Sequence, residues 1–155
     1  MIQIVNAKYA HVPEIVEIWK EFIDFHMERD AFFTRSEDGH LNFEKHVRKL
    51  IESENSRVLV ALDGGKVVAY SIAHLAHHPP VFKNVNYGFI SDIAVRQEYR
   101  RKGIGGDILH KIKNWFSKQG ITRIELRVSS KNEVAQSFWI RQLFKEYVYV
   151  MYSEI

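Results

Sequence analysis

Between Val95 and Leu109 the chain reads VRQEYRRKGIGGDIL, which sets Arg100, Arg101 and Lys102 directly against Gly103, Gly105 and Gly106. Glycine lets backbone approach a ligand where a Cβ would obstruct it. If a helix starts here, successive amides at its positive end can point at one pyrophosphate while the cations add charge. A side chain at Gly105 is then expected to fill the space such a group needs. A Walker loop requires Lys and Ser/Thr straight after its last glycine, but Gly106 is followed by Asp107 and Ile108. A dinucleotide fingerprint wants a third glycine where Ile108 stands and an acid about twenty residues on, where LRV offers none. What remains is Arg-x-x-Gly-x-Gly on Arg100, Gly103 and Gly105, read either as an anion-binding turn or as an exposed, solvated one.

A carboxylate supplies the second chemistry. Asp92 is the sole acid in YGFISDIAV, and burial in an apolar strand raises a carboxyl pKa toward the range of a general base. In a regular strand, however, Asp92 points away from the side of Ser91 and Ile93. His74, His77 and His78 form HLAHH, but without a carboxylate at ligand spacing they line a loop and no metal site is assigned. Asn132, before a helical stretch, reads as an N-cap.

These groups need elements to hold them. HVPEIVEIWKEFIDFHM places Val12, Ile15, Trp19, Phe22 and His26 at helical spacing, with Pro13 near the start. After the loop-like TRSEDGH, a second helix runs through NFEKHVRKLIES. RVLVAL and KVVAYSIAHLA, joined by DGG, form an antiparallel hairpin. YGFISDIAV is a further strand, and Gly103 to Lys118 is a helix striped by Ile104, Ile108, Ile112, Trp115 and Phe116, ended by Gly120. ITRIELRV alternates with period two, NEVAQSFWIRQLF is a short helix, and KEYVYVMYSE, rich in β formers, is a closing strand. With IQIVNA as a first strand, the order implies an α+β (α/β) sandwich on a mixed sheet, a single domain over residues 1–155.

No cysteine is present, which excludes disulfides, thiolate metal sites and a cysteine nucleophile and fits a cytoplasmic setting. The start lacks a signal peptide's pattern, and no apolar run approaches the ~20 residues that cross a bilayer, so no membrane partner is expected. A net charge of +3 with one dense basic cluster favours a small anionic ligand over nucleic acid. Tyr147, Tyr149 and Tyr152 are ordinary strand composition, with a homodimer interface as the alternative.

The stretch from about Asp92 to Leu109 resembles the loop of the GNAT family of acyl-CoA-dependent N-acetyltransferases, and Asn132, Ala135 and Phe138 resemble that family's Asn-x-x-Ala-x-x-Phe helix. The resemblance implies a mixed, mostly antiparallel sheet with helices on both faces and splayed fourth and fifth strands. It implies that acetyl-CoA lies in the splay, bonded by the main chain of Ile93, Ala94 and Val95. The pyrophosphate would meet the amides of Arg101, Lys102, Gly103, Ile104, Gly105 and Gly106, with Arg100 at the first motif position and Asn132 on the pantetheine arm. The first two helices would wall the pocket of an amine acceptor whose identity the sequence does not give. Asp92 is then the candidate base, with Ser91, His74 or a water relay as alternatives, and the Val95 amide the candidate oxyanion donor. Trp139 stands where many members carry a tyrosine general acid. Its indole N–H can donate a hydrogen bond but cannot surrender a proton in the working pH range. An acyl-CoA sensor with little turnover is the alternative function.

Overall fold

The structure, a computed structural model, describes residues 1–155. β1 (Ile2–Asn6) leads to α1 (Val12–Arg29) and α2 (Gly39–Glu52), and then to β2 (Ser56–Asp63), β3 (Lys66–His77) and β4 (Asn86–Val95). α3 (Ile104–Lys118), β5 (Ile124–Leu126) and α4 (Glu133–Arg141) complete the elements. The strands lie in the order β1-β2-β3-β4-β5, antiparallel except for the parallel β4–β5 pair. The hairpin of β2 and β3 turns on Gly64 and Gly65, both at positive φ as a tight hairpin turn demands.

Each face of the sheet buries its own core. On one face Ile104, Ile108, Leu109, Ile112, Trp115 and Phe116 of α3 pack on Leu59, Ala69, Ala73 and Ile90, so the expected α3 stripe is the buried one. On the other, Val12, Ile15 and Ile18 of α1 and Val47 of α2 pack on Val60, Tyr70, Ile72 and Ala94. The α1 stripe therefore turns further than Val12, Ile15, Trp19, Phe22 suggests. Ile18 faces the sheet, which frees Trp19 to stack on Phe43 of α2 at 4.6 Å and 10°. Arg96, just past β4, ties α1 to the sheet by donating from Nε to the Val67 carbonyl (2.9 Å) and pairing with Glu17 at 3.1 Å.

Three expectations change. α2 begins at Gly39, inside the stretch read as loop. The strand expected over ITRIELRV shortens to three residues, because β4 pairs with it only there. The closing strand KEYVYVMYSE is not formed. Beyond Phe144 no backbone hydrogen bond ties the chain down, and Tyr147 to Tyr152 are exposed. β propensity describes fit to a pleated, half-buried surface, and without a neighbour to pair with it forms nothing. The segment is held beside β5 through side chains instead, with Tyr147 donating to Glu125 and Arg123 lying over the Tyr147 ring.

Candidate active site

The β4–β5 ladder consists of Gly88↔Ile124, Phe89↔Glu125 and Ile90↔Leu126, and there it stops while β4 runs on to Val95. The two strands thus part beyond Ile90. Arg96 N–H bonds the Val68 carbonyl of β3, and antiparallel alternation then turns the main-chain groups of Ala94 to β3 and those of Ile93 and Val95 to the gap. Of the three residues expected to supply main-chain partners, two face the opening. Arg100 reaches back so that its Nε donates to the Val95 carbonyl at 3.0 Å, and its guanidinium lies 5.9 Å from the Phe25 ring centre. The first motif arginine therefore braces the gap's edge.

The turn at the end of β4 builds an anion cradle from backbone. Arg101 holds φ +63° and Gly103 φ +84°, and α3 starts at Ile104. A non-glycine residue in the left-handed region carries strain of order 1 kcal/mol, which the anchors around it sustain, Tyr99 O–H to Asp63 at 2.8 Å among them. Gly103 is the N-cap and offers no side-chain oxygen, so no side chain caps the first amides of α3. Arg101 and Lys102 are exposed beside them.

Gly105 and Gly106 also lie where α3 runs against α4. A Cβ at Gly105 would touch the Phe138 ring at 3.4 Å and one at Gly106 the Gln142 amide at 3.7 Å, both ordinary contact distances, so there is room for a methyl but the branches of a larger residue at Gly105 have the Phe138 ring to displace. Gly105→Val should therefore push α4 away and weaken CoA binding indirectly, with about 1 kcal/mol lost in thermal unfolding as well as in calorimetric affinity. An unchanged melting curve would instead place the added methyls in open ligand space.

Asn132 caps α4, its Oδ1 accepting from the Ala135 N–H at 3.1 Å, and is buried at 5% exposure. The cap occupies the oxygen and leaves the amide N–H groups without a partner in the chain. Trp139 packs between Phe138 (4.9 Å) and Phe144 (5.0 Å) against the α3 core.

On the α1–α2 face, β4 departs from a regular strand. The register with β3 shifts between Ile72 and Ala73, so Ser91 is an extra residue and the bulge re-aims the side chains beyond it. Asp92 joins Tyr70 and Ile72 on the face of α1 and α2, accepting the Tyr70 hydroxyl proton at Oδ2 (2.8 Å). Burial raises the Asp92 pKa and outweighs the opposing hydrogen bonds from Tyr70 and Ser91 and the charge of His46. Burial, then the Asp92 charge, pushes the Tyr70 phenol well up, so it stays protonated. His74, 5.3 Å from Phe89, is held low by burial and by His46, and its Nδ1 is buried without a partner.

Tyr70 and His46 are acid–base groups that reading the sequence does not single out, although a lone phenol in the apolar run VVAYSIA is a readable signal. The histidines of HLAHH disperse: His77 meets Asn86 at 2.7 Å and His78 meets Glu125 at 2.6 Å. A groove of about 560 Å³ between β1 and α3, lined by Asp107, His110 and Lys111 among others, lies at the far edge of the sheet from the gap. It brings no carboxylate–hydroxyl pair together and is separate from this chemistry. No helix is long and apolar enough to cross a membrane.

Residues 15–143 match the sequence model of the acetyltransferase (GNAT) family. Streptothricin acetyltransferase A of Bacillus subtilis (strain 168) is 34% identical over 58 residues, 37% of this chain and 34% of that protein, so the match spans about a third of the relative. Among solved structures, a tetramutant of the BH1408 protein from Bacillus halodurans superposes with a TM-score of 0.90 at 26% identity, covering 99% of both chains. Aminoglycoside N-acetyltransferase AAC(6')-Iy in complex with CoA shares the fold, with a TM-score of 0.76 at 14% identity over 100% of this chain and 95% of that one. With most of its length matched by the family model and a parted β4–β5 pair leading into an uncapped glycine turn, the chain belongs to the GNAT acetyltransferase family.

Proposed function

We propose that the chain is an N-acetyltransferase that moves the acetyl group of acetyl-CoA to a primary amine by direct attack. The observation that carries this is the opening of the sheet beyond Ile90 onto the gap-facing main chain of Ile93, the Val95 N–H and uncapped amides, with a mostly buried carboxylate on the adjoining face. The fit is chemical. The inward main chain of Ile93 suits the amides of a pantetheine arm, the Val95 N–H is left for the thioester carbonyl because Arg100 holds the Val95 oxygen, and the free amide of Asn132 adds a donor. The backbone N–H groups of Arg101 to Gly106, with the flanking cations, suit a pyrophosphate. The thioester supplies an activated acyl carbon.

An ammonium must lose a proton before it can attack, and Asp92 accepts it, directly or through water. Tyr70 holds the carboxylate in place from within the sheet. The amine lone pair then forms the C–N bond, the Val95 N–H donates to the carbonyl oxygen, and the C–S bond breaks. The nitrogen sheds its second proton to water as the C–S bond breaks, and the departing thiolate takes one from water, since the Trp139 indole has none to give. Ammonium and thioester thus yield amide, thiol and one proton.

The test is a thiol-release screen with acetyl-CoA over simple amines, polyamines, amino acids, aminoglycosides and peptide N-termini. Thiol release matched by a mass gain of one acetyl group on an amine is the expected result. Binding of acetyl-CoA with no release on any amine would mark an acyl-CoA sensor.

A further inference from the structure

We infer that residues 147–152 are an association strand: two copies of the chain pair antiparallel through them, with Tyr149 opposite the partner's Tyr149. The exposed surface of this segment and the shortness of the only strand beside it lead there, independently of the acetyl-transfer reading.

The segment reads YVYVMY, six apolar or aromatic β formers in a row, each between 59% and 88% exposed. Strand alternation puts Tyr147, Tyr149 and Met151 on one face and Val148, Val150 and Tyr152 on the other, so neither face is a polar one suited to water. A strand apolar on both faces belongs inside a sheet. At about 150–250 Å² per buried aromatic side chain, the three tyrosines of one copy have roughly 300–550 Å² still to remove from water. Two copies, with the valines and the methionine added, reach the ~1,000 Å² of a specific interface.

The chain itself cannot supply that cover. β5 is the last strand of the sheet and its outer edge is free, but it spans only Ile124–Leu126, and Tyr147 already meets Glu125 and Arg123 there through side chains. Three residues of edge cannot pair six. No backbone hydrogen bond reaches the segment, so its N–H and C=O groups are open on both edges. A second copy offers a strand of the same length and composition.

Charge then selects the register. Directly opposite side chains point to the same face, so a two-fold axis through an antiparallel pair must pass through a residue that faces itself. The two registers that keep the apolar block together centre on Tyr149 or Val150. With Val150 at the axis, Glu146 falls opposite the partner's Glu154, a like-charge pair that destabilises. With Tyr149 at the axis, Val148 meets the partner's Val150, Tyr147 the partner's Met151 and Glu146 the partner's Tyr152, and no like charges oppose.

Sedimentation of the parent chain from about 1 to 100 µM should show a monomer–dimer equilibrium. Val148→Asp combined with Val150→Asp should abolish the dimer over that range and leave the circular dichroism spectrum unchanged. The chain has no cysteine, so single cysteines report the register without background. Under mild oxidation Tyr149→Cys should form a covalent dimer about tenfold or more faster than Val148→Cys or Val150→Cys, because residues directly opposite hold their Cβ atoms about 4.5–5.5 Å apart while the other two meet their own copies only diagonally, at about 7–8 Å. A parent that stays monomeric throughout overturns the inference. So does a dimer that the two aspartates leave intact, assembly that runs on beyond the dimer, or equal cross-linking at all three positions. If the aspartate pair disturbs the fold, the parent's mass and the cysteine rates decide alone.

Discussion

Asp92→Asn should bind acetyl-CoA as tightly as the parent and turn over about 10²–10⁴-fold more slowly, the usual contribution of a positioned general base. The amide keeps the size of the carboxylate and can still accept the Tyr70 hydroxyl, so that contact survives and only the proton acceptor is lost. The pH dependence carries more information than the rate. Burial raises the Asp92 pKa, so the parent's activity should fall on the acid side of a midpoint above the usual carboxylate range. That acid limb should vanish in the variant.

Stability should move oppositely. A carboxyl whose pKa is raised by folding binds more protons in the native state than in the unfolded one between the ordinary and the raised value. It therefore destabilises the fold as pH rises through that window. Asp92→Asn removes that slope, and chemical denaturation near neutral pH should find it as stable as the parent or more so. Wild-type rates across the pH range would exclude Asp92 as base, and a loss of stability with intact rate would make it a structural partner of Tyr70.

The second large effect is expected at Gly88, where β4 meets β5. A Cβ built there falls 2.5 Å from Cζ of Phe116, a ring of α3 that is buried at 1% exposure. Neither the strand nor the packed helix can absorb that, so Gly88→Ala should lower stability by about 1–3 kcal/mol, a fall in Tm of roughly 2–12 °C. Because α3 carries the glycine turn at its start, the same change should weaken acetyl-CoA binding. Gly88→Ala combined with Phe116→Leu should recover part of both losses. A single variant with the parent's Tm would mean that Phe116 does not cover Gly88.

The parts of this site that are legible in the sequence are the ones fixed by local chemistry. Arg100, Gly103 and Gly105 announce a turn because few residues tolerate its backbone, and the α3 stripe announces a buried helix by its spacing alone. The direction of Asp92 is not legible. It depends on a bulge at Ser91, and a bulge is a relation between β4 and β3 that no residue in YGFISDIAV records. The same holds for the gap, since the length of the β4–β5 ladder is set by how two distant segments meet. Gly105 shows a subtler limit: its smallness is plain, but whether it makes room for a ligand or for Phe138 is decided by where α4 packs. The tail from Tyr147 to Tyr152 has a strand's composition and no neighbour with which to express it.

Amide hydrogen exchange, with and without saturating acetyl-CoA, tests the central claim most directly, because the proposed contacts are almost all to backbone N–H groups. Protection should appear at Ile93 and Val95, which face the gap, and at Arg101 to Gly106 in the turn, while Ala94, turned to β3, should change little. Protection confined to other segments, or none at a concentration that saturates binding, would contradict the assignment of the β4–β5 gap and its glycine turn as the acetyl-CoA site.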